Sequence, residues 1–301
     1  MIAADYKFPD SLSNFEITFK PITRQVKSFK EEISETAKQV YEISPNPLYL
    51  MYSGGIDSEA IALAFLENNI PFKAITFRYP NNINQIDINY SVKFCKEHNV
   101  EHIIADINPI IIYRDLLLAG NKFLGVWWNY LEVEMIDYID KLGGCAVLGR
   151  GAMFDRPLKT INEEITLNYS PGSFLHAEYC KNNNKIHFSE FYLTNPEIYA
   201  SCFKDPLIEH LLTEPNYFKN RNHTPLIVDD SMKEFSYPNI EKLMMFYKFW
   251  PDMERRPKYD GFEKLRPIFL HLEKQFKDNN IPNPVAAIKK VIDIQIELGI
   301  K

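Results

Sequence analysis

Leu48-Tyr-Leu-Met-Tyr-Ser-Gly-Gly-Ile-Asp-Ser-Glu59 decides the reading of the whole chain. Leu48 to Tyr52 is a short, wholly apolar and aromatic run, the pattern of a strand buried on both faces of a parallel sheet. Ser53-Gly54-Gly55 interrupts it. From Ile56 onward, Ala60, Ile61, Leu63, Ala64 and Leu66 keep apolar residues at helical spacing. Strand, glycine turn and helix in succession gather unpaired backbone N–H groups at a helix N-terminus, where they attract an anion. Gly54 and Gly55 can take positive φ and put no Cβ between backbone and ligand, and Ser53 and Ser58 offer hydroxyl donors. Asp57 is the odd member, since a carboxylate beside a phosphate repels it unless a cation lies between. The loop therefore asks for a nucleotide carried with Mg²⁺.

Composition narrows the class. At 301 residues, 46% hydrophobic and 25% charged, the chain has the make-up of a globular enzyme and can bury a sizeable core. A formal net charge of −6 and a pI near 5.7 leave no whole-chain footprint for nucleic acid, although a local basic patch stays open. No apolar run approaches the ~18–20 residues that span a bilayer. Residues 1–19 lack a basic-then-apolar leader pattern. Cys95, Cys145, Cys180 and Cys202 are widely spaced, without a CxxC pair, so reduced thiols and a cytoplasmic location are expected.

Working outward from the loop, residues 1–22 read as irregular, with Pro9 and Pro21 as breakers. Arg24 to Ile43 reads as a helix, with Val26, Phe29, Ile33, Ala37 and Tyr41 on its apolar side. After the loop helix, Phe72 to Phe77 is a second strand. Asn84 to His98 is a helix with Ile86, Tyr90, Val92 and Phe94 as its apolar positions, and Glu101 to Asp106 is a third strand. This alternation predicts α/β architecture: a parallel twisted sheet with helices on both faces. Ile110 to Leu142 reads as helical with a break near Gly120 to Gly125, its Trp127, Trp128, Leu131, Met135, Ile136 and Ile139 forming core. Cys145 to Leu148 is a fourth strand.

Beyond Pro157, residues 165–169, 174–180 and 185–191 alternate loosely and predict a β-hairpin or small meander. Asn195-Pro196 opens a helix to about Leu212, and helices are expected at 240–250, 262–278 and 284–298. Arg255 to Gly261 reads as an exposed, cation-rich loop. The expected organisation is an N-terminal helical extension over 1–46, a nucleotide domain over 47–160, and a mixed α+β C-terminal region over 161–301 for substrate or oligomer contacts.

Glycine usage marks a second loop. Of 11 glycines, Gly54, Gly55, Gly143, Gly144, Gly149 and Gly151 lie in two neighbourhoods, which indicates close backbone approach there. Ligands in open α/β sheets sit at the carboxyl ends of strands, so Gly149-Arg150-Gly151 should face the loop at residues 53–58.

Ser53-Gly-Gly-Ile-Asp-Ser58 after a buried strand resembles the PP-loop of the N-type ATP pyrophosphatases, a group of adenine nucleotide alpha hydrolase-like proteins. It lacks the Gly-Lys-Ser/Thr of a Walker A loop. The resemblance implies a Rossmann-like PP-loop domain and cleavage of ATP between its α and β phosphates, yielding an adenylated substrate and pyrophosphate. It implies ATP contacts at Tyr52, Ser53, Gly54, Gly55, Asp57, Ser58, Thr76, Phe77 and Gly149, with Tyr52, Thr76 and Phe77 framing adenine. It implies catalytic roles for Asp57, Ser58 and Arg150, and Mg²⁺ on Asp57 and Asp155.

Arg150 departs from the Gly-Glu-Gly pattern of asparagine synthetase and is expected to clamp a phosphate or carboxylate; Arg156 and Lys159 are nearby cations. The expected activity is AMP-forming ligation, in which a small-molecule oxygen is adenylated and then displaced by a nitrogen nucleophile. The alternatives are thiolation of a tRNA base or nucleobase, and nucleotide binding without turnover. A separate nitrogen or sulfur donor protein and a homodimer are compatible with the sequence. No membrane partner is expected.

Overall fold

The computed structural model describes residues 4–7, 15–19, 21–45, 47–109, 127–149, 165–169, 175–188, 190–206 and 240–254. Strands β1 (Ala4–Lys7) and β2 (Phe15–Phe19) precede helix α1 (Phe29–Ile43). Then come β3 (Leu48–Met51), α2 (Ile56–Glu67), β4 (Lys73–Arg78), α3 (Gln85–Glu97) and β5 (His102–Asp106). Helix α4 (Trp127–Lys141) leads to β6 (Cys145–Leu148). They are followed by β7 (Ile165–Tyr169), α5 (Leu175–Asn182), α6 (Pro196–Phe203) and α7 (Ile240–Phe249). Among the described residues, no helix is long and apolar enough to cross a membrane.

The main sheet is four-stranded in the order β5-β4-β3-β6, with every pair parallel. Alternation within its strands sends side chains to both faces. Leu48 and Leu50 from β3, Tyr52 just after it, and Cys145 and Val147 from β6 meet residues of α1, α2 and α3 on one face. Tyr49, Ile75, Phe77, Ala146 and Leu148 meet Leu131, Met135, Ile136 and Ile139 of α4 and Cys180 of α5 on the other. Each such large side chain removed from water contributes ~1.5–3 kcal/mol. This is the α/β fold with helices on both faces that the strand–helix alternation predicts.

Strand order also creates the crevice. From β3 the chain moves outward through β4 to β5, then returns to lay β6 on the opposite side of β3. Such a reversal leaves the loops after the two diverging strands pointing apart, and a ligand fits between the carboxyl ends of β3 and β6. Helix α2 starts there and is buried around most of its girth, because α1 and α7 cover what the sheet does not.

Several segments depart from the sequence reading. Residues 1–22 are not irregular throughout: β1 and β2 form an antiparallel ribbon, and β2 pairs with β7 through Phe15↔Tyr169 to Phe19↔Ile165. The partner strand is remote in sequence, so no hairpin signal announces it. Helix α1 begins at Phe29 rather than Arg24, because Ser28 and Glu31 form a reciprocal capping box there. In α3 the buried residues are Ile88, Ser91, Phe94 and Cys95, while Ile86 and Val92 face solvent.

The expected meander holds only at β7. Residues 175–182 are helical, with His176 and Cys180 buried one turn apart. Residues 185–188 instead run along the outer edge of β6, where Val147 and Phe188 form a single parallel bridge. Helix α6 ends at Phe203, short of Leu212. The expected helices at 262–278 and 284–298, the 255–261 loop and the break near Gly120 to Gly125 lie outside the described residues.

Candidate active site

The loop after β3 is built largely from its own backbone. Gly54 takes φ +77°, and a Cβ on it would lie 2.5 Å from the backbone oxygen of Asp87 in the first turn of α3. Only glycine meets both conditions. Gly55 differs from the expectation: it caps α2 with φ −86°, an ordinary extended value, and no side chain caps the helix. The first-turn N–H groups of α2 are therefore left for a ligand by the protein's side chains.

The two serines are tied into the turn. Gly55 N–H donates to Ser53 Oγ at 3.3 Å, Ser58 Oγ donates to Gly55 O at 2.9 Å, and the two hydroxyl oxygens lie 3.4 Å apart. Ser53 is exposed and accepts only the Gly55 N–H within the turn besides its contact with Ser58, whereas Ser58 is buried and donates to a backbone oxygen. Ser58 thus stiffens the turn in addition to any contact through its N–H.

The second glycine loop arrives where the strand order places it. Gly149 follows β6, and a Cβ on it would stand 2.8 Å from Ser58 N and 3.1 Å from Asp57 C. Its bare backbone closes the crevice over the first turn of α2. Arg150, Asp155, Arg156 and Lys159 lie outside the described residues.

The expected adenine frame is a bonded unit. Thr76 Oγ1 donates to Tyr52 O at 2.7 Å and lies 2.8 Å from His102 Nε2. Since that hydroxyl proton is already used, His102 Nε2 donates to Thr76; burial lowers the His102 pKa and so favours the neutral ring, in the tautomer that carries its proton on Nε2. Tyr52 stacks on Phe94, with ring centroids 4.9 Å apart. The side chains of Tyr52 and Thr76 therefore anchor the loop's root.

Sequence reasoning missed four contributors to the crevice wall. Asp87 sits where α3 begins, carried next to Gly54 by the β4–α3 connection; an acid in a helix's first turn was the available signal. Tyr192 donates from its hydroxyl to Asp57 O at 2.6 Å. Burial, and then the Asp57 carboxylate, push its phenol well up. Glu190 and His176 form a buried contact of 3.0 Å beside the same wall. For these last three residues no local pattern exists.

The cysteines are inert. All four are buried and free, and burial pushes the thiols of Cys95, Cys145 and Cys180 up to about 12 and that of Cys202 well above its ordinary value. A thiol so placed does not ionise near neutrality.

The model of the family described as "Queuosine biosynthesis protein QueC" matches residues 48–122, from the start of β3 through the loop and β5. No curated protein matches the chain. NMN synthetase from Francisella tularensis is similar at 17% identity, over 42% of this chain and 54% of that one, with a TM-score of 0.33. The NH3-dependent NAD synthetase of Campylobacter jejuni is similar at 15% identity, over 76% of this chain and 97% of that one, with a TM-score of 0.34. Glutamine-dependent NAD+ synthetase from Acinetobacter baumannii is similar at 15% identity, over 89% of this chain and 48% of that one, with a TM-score of 0.31. The chain thus spans about half the length of the Francisella and Acinetobacter structures. With a Ser-Gly-Gly-Ile-Asp-Ser turn between β3 and α2, a parallel sheet reversing at that turn, and a matching family model over residues 48–122, this stretch of the chain is similar to the PP-loop superfamily of N-type ATP pyrophosphatases.

Proposed function

We propose that the chain binds Mg-ATP in the crevice between β3 and β6, releases pyrophosphate, and adenylates an oxygen of a small molecule for displacement by a nitrogen nucleophile. The observation that carries this reading is the double glycine approach: Gly54 at φ +77° and Gly149 against Ser58 N leave the first turn of α2 uncovered by side chains. The N–H groups of residues 56–58 would hold the β and γ phosphates, aided by the dipole of α2. Ser53 can add a hydroxyl donor, and the backbone of Tyr52, Thr76 and Phe77 would frame the adenine.

Asp57 opens α2 beside that cradle and is the described residue suited to magnesium, which needs only one or two carboxylates when phosphate oxygens complete its shell. Magnesium bound there would offset charge on the departing pyrophosphate. Arg150 and Asp155, close in sequence to Gly149, are proposed as a further phosphate clamp and a further metal carboxylate. Positioning and electrostatics do most of the work in such transfers. The family match favours a biosynthetic role related to the one its name prints. Burial of all four thiols supports ligation over sulfur transfer.

Labelled ATP tests the reading. With label in the α and γ positions, turnover should yield AMP and pyrophosphate; ADP and phosphate as the sole products would overturn it.

A further inference from the structure

On the outer side of β6 the chain forms a strap, residues 186–188 and 190–193, that the proposed chemistry does not use. It hangs on the sheet edge by three bonds: Ala146 N–H to His187 Nδ1 at 2.9 Å, Phe188 N–H to Ala146 O at 2.8 Å, and Leu148 N–H to Phe188 O at 2.9 Å. Its far end, Tyr192, grips Asp57 O at 2.6 Å, one residue from the turn that Gly149 covers. Between these anchorages stands Glu190, 5% exposed.

Glu190 is met by a histidine with no solvent contact. His176, near the start of α5, places Nε2 3.0 Å from Glu190 Oε1 and Nδ1 3.3 Å from Glu132 Oε2 of α4. A neutral imidazole has one N–H and one lone pair. With a carboxylate at each nitrogen, that lone pair would face an anion across a ring that has no solvent exposure of its own. The geometry therefore demands one further proton in the trio.

We propose that His176 is held as an imidazolium between Glu132 and Glu190, and that this charge positions the strap, and through Tyr192 the first turn of α2, for the ligand in the crevice. His176 touches no reacting atom in this arrangement; it is a positioning residue. Its surroundings bear the assignment out. Among the described residues, Glu132 from α4 and Glu190 from the strap face it, with His187 and Tyr192 further along the strap. Beyond Glu132 lies Tyr79 at the end of β4, whose phenol burial, Asp87 and Glu132 all push up. Burial of His176 opposes its charge, but hydrogen bonds and charge from Glu132 and Glu190 outweigh it, and its pKa stands above the ordinary value. The sign follows: the stabilisation is fully present below the ordinary histidine value and is lost as pH rises through the raised one.

The experiment reads two quantities on the full chain. Nitrogen NMR of the imidazoles, with His176 assigned among the seven histidines by comparison with His176→Gln, reports its protonation. Amide exchange over residues 57–60, corrected for intrinsic pH dependence, reports closure of the strap. His176 should titrate above the ordinary range with both nitrogens protonated below its midpoint. Exchange at 57–60 should quicken on the order of tenfold as pH passes that midpoint. Glu190→Gln keeps an acceptor oxygen but removes the charge, so it should move both midpoints to lower pH together. Tyr192→Phe should leave the His176 midpoint in place and abolish the pH dependence at 57–60.

An imidazole titrating in the ordinary range, or exchange at 57–60 indifferent to Glu190→Gln, overturns the proposal; should His176→Gln not fold, correlation of the His176 ring to its own backbone supplies the assignment. ATP affinity is the one readout that rests on the nucleotide reading, and it should weaken through the same midpoint. Exchange that follows His176 in a protein with no ATP affinity at any pH upholds the positioning role and overturns the nucleotide reading alone.

Discussion

The two walls of the crevice are made in opposite ways. On the β3 side, the turn at residues 53–58 holds itself: its serine and glycine bonds all join residues within five positions of each other. On the β6 side, the wall is assembled from afar. Tyr192 reaches Asp57 across 135 positions, and Glu190 reaches His176 across 14. The first wall is rigid because few backbone conformations satisfy it. The second is rigid only while buried charges balance. A ligand between them meets a fixed cradle on one side and a charge-dependent clasp on the other.

Glycine substitutions should break this comparison most severely. Gly54→Ala combines a positive φ with a Cβ 2.5 Å from a backbone oxygen, so a loss of about 3 kcal/mol is expected together with loss of ATP binding. Gly149→Ala meets Ser58 N at 2.8 Å without a φ penalty and should lose about 2 kcal/mol. Gly55→Ala, whose new Cβ would lie 3.3 Å from Ser53 Oγ, should change stability by less than ~1 kcal/mol. Denaturant unfolding of the three variants checks that ranking, and equal losses at Gly54 and Gly55 would refute the idea of a cradle set by backbone conformation.

Asp57→Asn sharpens the same wall chemically. The near-isosteric change should leave the fold intact while turnover falls on the order of 10²-fold. Steady-state kinetics in limiting Mg²⁺ decide the point; wild-type rates would remove Asp57 as a metal ligand. On the opposite wall, Cys145→Ala should cost ~1–2 kcal/mol of packing in β6 yet keep ATP-dependent product formation, and Cys95, Cys180 and Cys202 should likewise be dispensable when changed to Ser. Loss of activity with ATP binding intact in any folded variant of these would favour sulfur transfer. The smallest effect is expected at the loop's root. Thr76→Val removes the bond to Tyr52 O and leaves His102 Nε2 without its acceptor, so about 1 kcal/mol should be lost and the KM for ATP should rise. Unchanged stability and KM would show that the root needs no such anchor.

The β3 wall is legible in the amino-acid sequence because its information is local. A buried apolar run, Ser53-Gly54-Gly55 and the helical spacing from Ile56 constrain one another within a dozen residues, and the same holds for the strand–helix alternation through Asp106. Errors gather where distant partners override a local pattern. Residues 174–180 alternate like a strand, yet α4 offers an apolar face that a helix fills better, through Cys180. Phe15–Phe19 has one partner nearby, Ala4–Lys7, and a second, Ile165–Tyr169, that is remote in sequence and that no local pattern announces.

By itself, the sequence determined the α/β class and the strand–glycine turn–helix around residues 53–58, because φ freedom at glycine, helix-end donors and a carboxylate beside them are properties of neighbouring residues. The sequence also brought Gly149 to the loop, but tertiary structure alone decided that it packs against Ser58 N, that Thr76 and His102 brace the loop's root, and that Glu132, His176, Glu190 and Tyr192 make the second wall. The physical reason is that the strand order β5-β4-β3-β6 sets which distant carboxylates, rings and carbonyls share one low-dielectric space, and no spacing along the chain encodes that meeting.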